Sequence, residues 1–164
     1  MNAPKKTPTK VLFVCLGNIC RSPLAEGLFL HLARERGLEA RFEVDSAGTG
    51  DWHVGHFADP RSQAVANTHG VKLLSRARQV ETPDDFETFD VIVAMDRANR
   101  RDLRELSPEE HHGKIRLMRE WDPENDEEHP EVPDPYYGGP QGFEVMYAML
   151  RRSCERLLDE LEKT

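Results

Sequence analysis

Within VLFVCLGNICRSPLAE, Cys15, Gly17, Asn18, Arg21 and Ser22 crowd the end of the apolar run Val11 to Val14. A thiolate is a strong nucleophile, and a guanidinium is a planar fork of donors matched to phosphate oxygens. Glycine permits a tight turn and asparagine tolerates left-handed backbone. A strand passing through such a turn into a helix points successive backbone N–H groups and a positive helix end at one spot, which makes an anion nest. The same field favours thiolate over thiol, and cysteines so placed fall from a pKa of ~8.5 to roughly 3.5–7.5. The spacing therefore puts a nucleophile at the floor of a cradle for a tetrahedral dianion, with Ser22 placed to donate a hydrogen bond to the departing sulfur. That is a recipe for a phosphocysteine intermediate. Cys15 by itself would read as a small buried hydrophobe. With Gly17, Arg21, Ser22 and Pro23 in register it does not, because a buried Arg21 would lack any partner.

Other phosphate loops do not fit. There is no G-x-x-x-x-G-K-[ST], and Gly48-Thr49-Gly50 through Gly55 has the wrong third spacing for a dinucleotide fingerprint. His53, His56, His111 and His112 lack a third ligand at helical or hairpin spacing and read as solvated loop residues, so no metal and no cofactor is expected.

The elements that position these residues alternate. Residues 1–9 read as a flexible N-terminal tail and 10–164 as a single domain. Lys10 to Val14 is a short apolar strand, and Pro23 opens an amphipathic helix to Arg36 that Gly37 ends. Phe42 and Val44 belong to a second strand running into the turn formers Asp45 to Gly50. Asp59-Pro60 starts a helix closing at His69-Gly70, and Pro83 to Phe86 gives a brief helical turn. Phe89 to Met95 is a strand, Asp96 caps a basic helix that stops before Pro108, and Lys114 to Met118 is the last strand. Arg119 to Gly142 is an acidic, Pro-rich loop of a length that usually has a job, and Gln141 to Glu162 is the closing helix. Such alternation predicts a parallel sheet with helices on both faces and a ligand site at the carboxyl ends of the strands. Cys15 lies there.

Composition narrows the function. With 164 residues and a formal charge of -8, the chain is one domain whose overall field repels nucleic acid and anionic membrane, so any anion must be held by a local site. The basic start followed by VLFVCL imitates a signal peptide, but the apolar run is too short and lacks a cleavage pattern. With no transmembrane stretch and three cysteines in no disulfide or zinc pattern, no membrane insertion and a reducing cytoplasm are expected.

Cys15-Leu16-Gly17-Asn18-Ile19-Cys20-Arg21-Ser22-Pro23, joined to Asp134-Pro135-Tyr136-Tyr137, closely resembles the low-molecular-weight protein tyrosine phosphatases, bacterial members in particular. The resemblance runs from about residue 10 to the C-terminus. It implies a flavodoxin-like three-layer sandwich around a four-stranded parallel sheet, and metal-free hydrolysis of phosphotyrosine in which Cys15 attacks, Arg21 and the loop amides of residues 16–20 stabilise the oxygens, and Asp134 serves as acid. The residues alone do not choose Asp134 over Asp122, since both precede a proline in one loop; the resemblance does. It further implies that Ser22, Ser46 and His69 hold Asn18, that Leu16 and Ile19 wall the pocket, and that Trp52, Tyr136 and Tyr137 rim it. Without it, Ser46 is a turn former and His69 a helix-end residue. In relatives a cysteine at the place of Cys20 can form a protective disulfide with the nucleophile, and tyrosines like Tyr136 and Tyr137 can be phosphorylated. Cys154 reads as core. The expected partner is a phosphotyrosine protein, a bacterial tyrosine kinase or its substrate among them. Arsenate reduction on this fold needs a further cysteine pair that is absent here, and protein arginine phosphatases tend to carry Thr where Ile19 stands and to lack the paired tyrosines.

Overall fold

The computed structural model describes residues 7–164. Its sheet consists of β1 (Thr9–Cys15), β2 (Phe42–Gly48), β3 (Val91–Ala94) and β4 (Ile115–Leu117), all parallel in the order β2-β1-β3-β4. Between and after them run α1 (Arg21–Glu35), α2 (Pro60–Thr68), α3 (Asp84–Thr88), α4 (Arg97–Leu106) and α5 (Pro140–Glu162). Of the expected tail, residues 1–6 lie outside the described residues, and Thr9 already pairs with Phe42 in the sheet.

β1 explains why its sequence shows no alternation: Val11 to Val14 are fully buried because both faces are covered. Val11, Phe13 and Cys15 join the core formed with α1, α2 and α5, including Leu24, Leu28, Phe29, Val65, Leu150 and Leu157. Leu12 and Val14 join the opposite core with Phe86 of α3, Leu103 of α4 and Ile115 and Leu117 of β4. This is the three-layer, flavodoxin-like sandwich. The chain leaves β1 for β2 on one side and returns to β3 on the other, so the order reverses at the end of β1, where such sheets bind ligands.

Several boundaries differ from expectation for identifiable reasons. α1 begins at Arg21, with Pro23 third in the helix; a residue without an N–H costs nothing there, since the first four amides have no intrahelical acceptor. β3 stops short of Phe89 because that amide bonds back to Asp85 at the end of α3. β4 is trimmed by short 3-10 turns at Glu109–Lys114 and Met118–Trp121. The segment expected as a plain loop after residue 119 is organised around buried Arg119, which bonds Asp122 and the carbonyls of Glu124, His129 and Glu131. Asp96 caps α4 as expected, in a reciprocal box with Asn99. Among the described residues no helix is long and apolar enough to cross a membrane.

Candidate active site

At the end of β1 the chain turns through residues 16–20 into α1. Asn18 adopts φ of 57°, the left-handed region that Asn enters more readily than most residues. Its side chain is fully used: Nδ2 donates to Ser22 Oγ at 2.7 Å and to Ser46 Oγ at 3.0 Å, while Oδ1 accepts from the Arg78 amide at 3.0 Å. Ser46 Oγ in turn donates to Glu26 Oε1 at 2.5 Å. Because Ser22 Oγ accepts from Asn18, its own hydrogen is free for Cys15 Sγ, 3.0 Å away. The network is thus directional and ends on the sulfur. Behind the turn, Thr49 and Gly50 donate to the carbonyls of Cys15 and Leu16. Gly48 makes this approach feasible: a Cβ there would meet Leu16 O at 2.8 Å.

Cys20 occupies the N-cap of α1 without a capping side-chain bond, and the first turn carries no acidic residue, so the positive end of α1 is uncompensated from within its own helix. Arg21 opens that helix. Side chains tilt toward a helix N-terminus, which carries its guanidinium back under the turn. The expectation that a buried Arg21 would have no protein partner is corrected: at 2% exposure it donates Nη1 to Asp96 Oδ2 at 2.6 Å and to Val132 O at 3.0 Å. These bonds aim the fork and leave Nη2 turned toward Asp134, whose Oδ2 is 3.6 Å away. Burial works against the charge of Arg21, but Cys15, Asp96 and Asp134 outweigh it and hold the guanidinium above its ordinary range.

The two candidate acids are now distinguishable. Asp122 is buried and salt-bridged to Arg119 and Arg152; burial alone would raise its pKa, but Arg152, the Glu124 amide and Arg119 outweigh that and lower it. Asp134 is 42% exposed, accepts from the Tyr136 amide at 3.0 Å and lines the pocket with Cys15. That pocket, about 390 Å³, is also walled by Leu16, Gly17, Ile19, Cys20, Arg21, Trp52, His53, Tyr136 and Tyr137, within the size range of small-ligand sites. The Trp52 ring lies directly over Gly50, where a Cβ would meet it at 1.9 Å. Tyr136 and Tyr137 pack edge to face at 4.8 Å.

The structure therefore brings together Cys15 to Ser22, Trp52, Asp134, Tyr136 and Tyr137, with Ser46 beneath. It does not bring His69 to Asn18: that residue is exposed at the end of α2 and stacks on Tyr147, with ring centroids 3.8 Å apart, and Arg78 and Glu26 complete the network instead. Cys15, Cys20 and Cys154 are free thiols. Burial, with Asp59, Cys15 and Asp134 nearby, pushes the Cys20 thiol up to about 12, so it stays protonated. Cys154 is fully buried in the core as expected. Sequence reasoning missed Glu26, Arg78, the Asp96 to Arg21 bond and His53 at the pocket wall. Only Asp96 left a signal, as a carboxylate at the carboxyl end of the neighbouring strand.

Fold and site together define a class: a doubly wound α/β sandwich with a cysteine-bearing anion loop at the end of its first strand. Residues 10–164 match the model of the low molecular weight phosphotyrosine protein phosphatases, and the chain belongs to that family. It is 46% identical over 150 residues to a low molecular weight protein-tyrosine-phosphatase of Streptomyces coelicolor, covering 91% of each chain. Among solved structures it is similar to a protein tyrosine phosphatase from Entamoeba histolytica crystallised with Hepes in the active site, with a TM-score of 0.90 and 41% identity over 94% of this chain and 97% of that one. It is also similar to a Drosophila arginine phosphatase, with a TM-score of 0.85 and 37% identity over 94% of this chain and 97% of the other.

Proposed function

We propose that this protein hydrolyses phosphotyrosine monoesters of proteins through a phosphocysteine intermediate, without a metal. The observation that carries the reading is one pocket holding the Cys15 sulfur, the Arg21 guanidinium and the Asp134 carboxyl at the uncompensated N-terminus of α1. In the first step Cys15 Sγ bonds to phosphorus while the bond to the phenolic oxygen breaks, and Asp134 gives that oxygen its proton. A phenolate with a parent pKa near ~10 leaves poorly without one. Arg21 and the loop amides hold the equatorial oxygens as charge redistributes. In the second step water attacks phosphorus and passes a proton to Asp134, the S–P bond breaks, and inorganic phosphate departs. The Ser22 hydroxyl supports the leaving sulfur.

Specificity for an aromatic ester fits the walls: Ile19 below, Trp52 and the Tyr136 and Tyr137 pair around the mouth. Residues 10–164 act as one phosphatase domain. Its partner is a phosphotyrosine protein, with a bacterial tyrosine kinase or that kinase's substrate the expected source, and three unpaired thiols fit a reducing cytoplasm.

The test is turnover of p-nitrophenyl phosphate, a phosphotyrosine peptide and a phosphoarginine peptide with EDTA present. Wild type turns over the first two. Cys15→Ser loses roughly 10⁴–10⁶-fold, as removal of a nucleophile does, and Asp134→Ala loses ~10²–10⁴ on the phosphotyrosine peptide. Intact-protein mass spectrometry of quenched Asp134→Ala should find phosphate on Cys15. Activity surviving in Cys15→Ser would sink the mechanism, and preference for phosphoarginine would move the substrate class.

A further inference from the structure

Asp134 sits midway between two residues whose carbonyls are each held by a guanidinium. On one side Arg21 donates to Val132 O at 3.0 Å, and the Val132 amide bonds Met95 O at the end of β3. On the other side Arg61 Nη1 donates to Tyr136 O at 3.0 Å. The Tyr136 amide then donates to Asp134 Oδ1. Beyond Tyr136 the chain makes only local turns through Gly138 before α5 begins at Pro140. Arg61 is itself fixed from three directions. Its Nε and Nη2 bond Asp59 Oδ1 and Oδ2 at 3.0 and 2.9 Å, and its guanidinium lies 4.6 Å from the Phe143 ring centroid and 5.4 Å from that of Tyr136. Asp59 is buried at 8% exposure, and its amide donates to Ile19 O at 2.8 Å. An unbroken series of bonds thus runs from the cysteine loop through Asp59, Arg61 and Tyr136 to the carboxyl of Asp134.

We infer that Arg61 is a positioning residue that suspends the Asp134 segment over the cysteine loop and so sets the efficiency of proton delivery to the leaving group. The inference rests on Asp134 as the acid. A simple ion pair at the start of α2 would need only Asp59; the third direction of the Arg61 fork, onto Tyr136 O, is what ties α2 to the acid. Lysine would supply the charge, but its donors radiate from one nitrogen and do not span both Asp59 oxygens and Tyr136 O as the planar fork does.

The test compares kcat/KM for phenyl phosphate, whose leaving group needs the proton, with p-nitrophenyl phosphate, whose more acidic phenol needs it less. Arg61→Met should lose roughly tenfold on phenyl phosphate and no more than about threefold on p-nitrophenyl phosphate, a fraction of the ~10²–10⁴ available to a general acid. Arg61→Lys should fall between, and adding Arg61→Met to Asp134→Ala should not widen the substrate ratio further. Partial unfolding scales both substrates alike, so the ratio is insensitive to it. An unchanged ratio in Arg61→Met, with Asp134→Ala widening it, overturns the inference and leaves the acid standing. Should Asp134→Ala also leave the ratio unchanged, the acid assignment falls, and the role of Arg61 falls with it.

Discussion

Two loops face each other across the pocket and are built on opposite plans. The cysteine loop is sunk into the protein: Cys15, Asn18, Arg21 and Ser22 are at most 2% exposed, and Asn18 alone makes three hydrogen bonds, to α1, to β2 and to the segment between α2 and α3. The Asp134 loop is anchored by buried Val132 and by Tyr136 packed against the core, but it carries its tip outward, with Asp134 nearly half exposed and Tyr137 almost wholly so. Stabilising a transition-state charge demands donors that do not reorganise, which burial and redundant bonding supply. On the proposed mechanism, delivering a proton to the residue of a bulky protein substrate demands a side that can admit it, and Asp134 accordingly stays exposed between anchored neighbours.

Asp96 tests that contrast most severely, since it serves the rigid side twice. It caps α4 and holds Arg21. Asp96→Ala leaves a buried guanidinium without its carboxylate, a loss of roughly 3–5 kcal/mol for a broken buried pair, and it also forfeits the cap, worth about 1 kcal/mol. A large drop in Tm with a fall in kcat/KM of at least about tenfold on every ester is the expected result. Asp96→Asn keeps an acceptor for the cap and should recover part of the stability. If Asp96→Ala melts within a degree or so of wild type, the idea of an over-determined cysteine loop is wrong.

Asn18 separates the two contributions to that rigidity. Asn18→Ala loses its three bonds and places a less tolerant residue at φ of 57°, which costs about 1–3 kcal/mol. Asn18→Gly loses the same bonds without the backbone penalty. Thermal melts should therefore rank wild type, then Asn18→Gly, then Asn18→Ala, while both variants lose activity alike because Ser22 is no longer oriented. Equal melts for the two variants would remove backbone conformation from the account.

What could be read from sequence follows the same division. β1, the turn and the start of α1 are contiguous, and their chemistry is written in local order, so Cys15, Asn18, Arg21 and Ser22 were legible. The sheet was legible too, because a fully buried central strand leaves an unbroken apolar run. The supports were not, because they come from afar: Asp96 follows β3 as the cap of α4 and is brought to Arg21 by the parallel register that bonds the Met95 amide to Val14 O. Arg78 contributes a backbone amide, which no side-chain pattern announces. Asp122 and Asp134 look alike in sequence, and what divides them is the burial of Asp122 between Arg119, three residues earlier, and Arg152 of α5. The family resemblance puts His69 in the Asn18 network; the turn ending α2 instead sends its ring onto Tyr147.

The smallest expected effect lies at the far end of the Asn18 network. Glu26 is largely desolvated beneath the loop, accepts from Ser46 and has Asp45 and Arg78 nearby. Burial, reinforced by Asp45, outweighs the bonds from Ser46 and Ser75 and the pull of Arg78, and raises its pKa. The sign follows: the folded state holds this proton more tightly than the unfolded chain, so the stabilisation is full below the unfolded value of about 4.3 and is lost as pH rises through the raised folded value. Above that folded value the loop sits on a charge that burial opposes more than it does in the unfolded chain. Glu26→Gln keeps an acceptor for Ser46 and removes the charge, so it should melt higher than wild type at pH 7.5, by roughly 2–4 °C for each kcal/mol regained in a chain of this size. The gap should close as pH is lowered toward 4. A gap that stays constant with pH would mean that Glu26 is solvated in the folded protein, and that the rigid side of the site ends at Ser46.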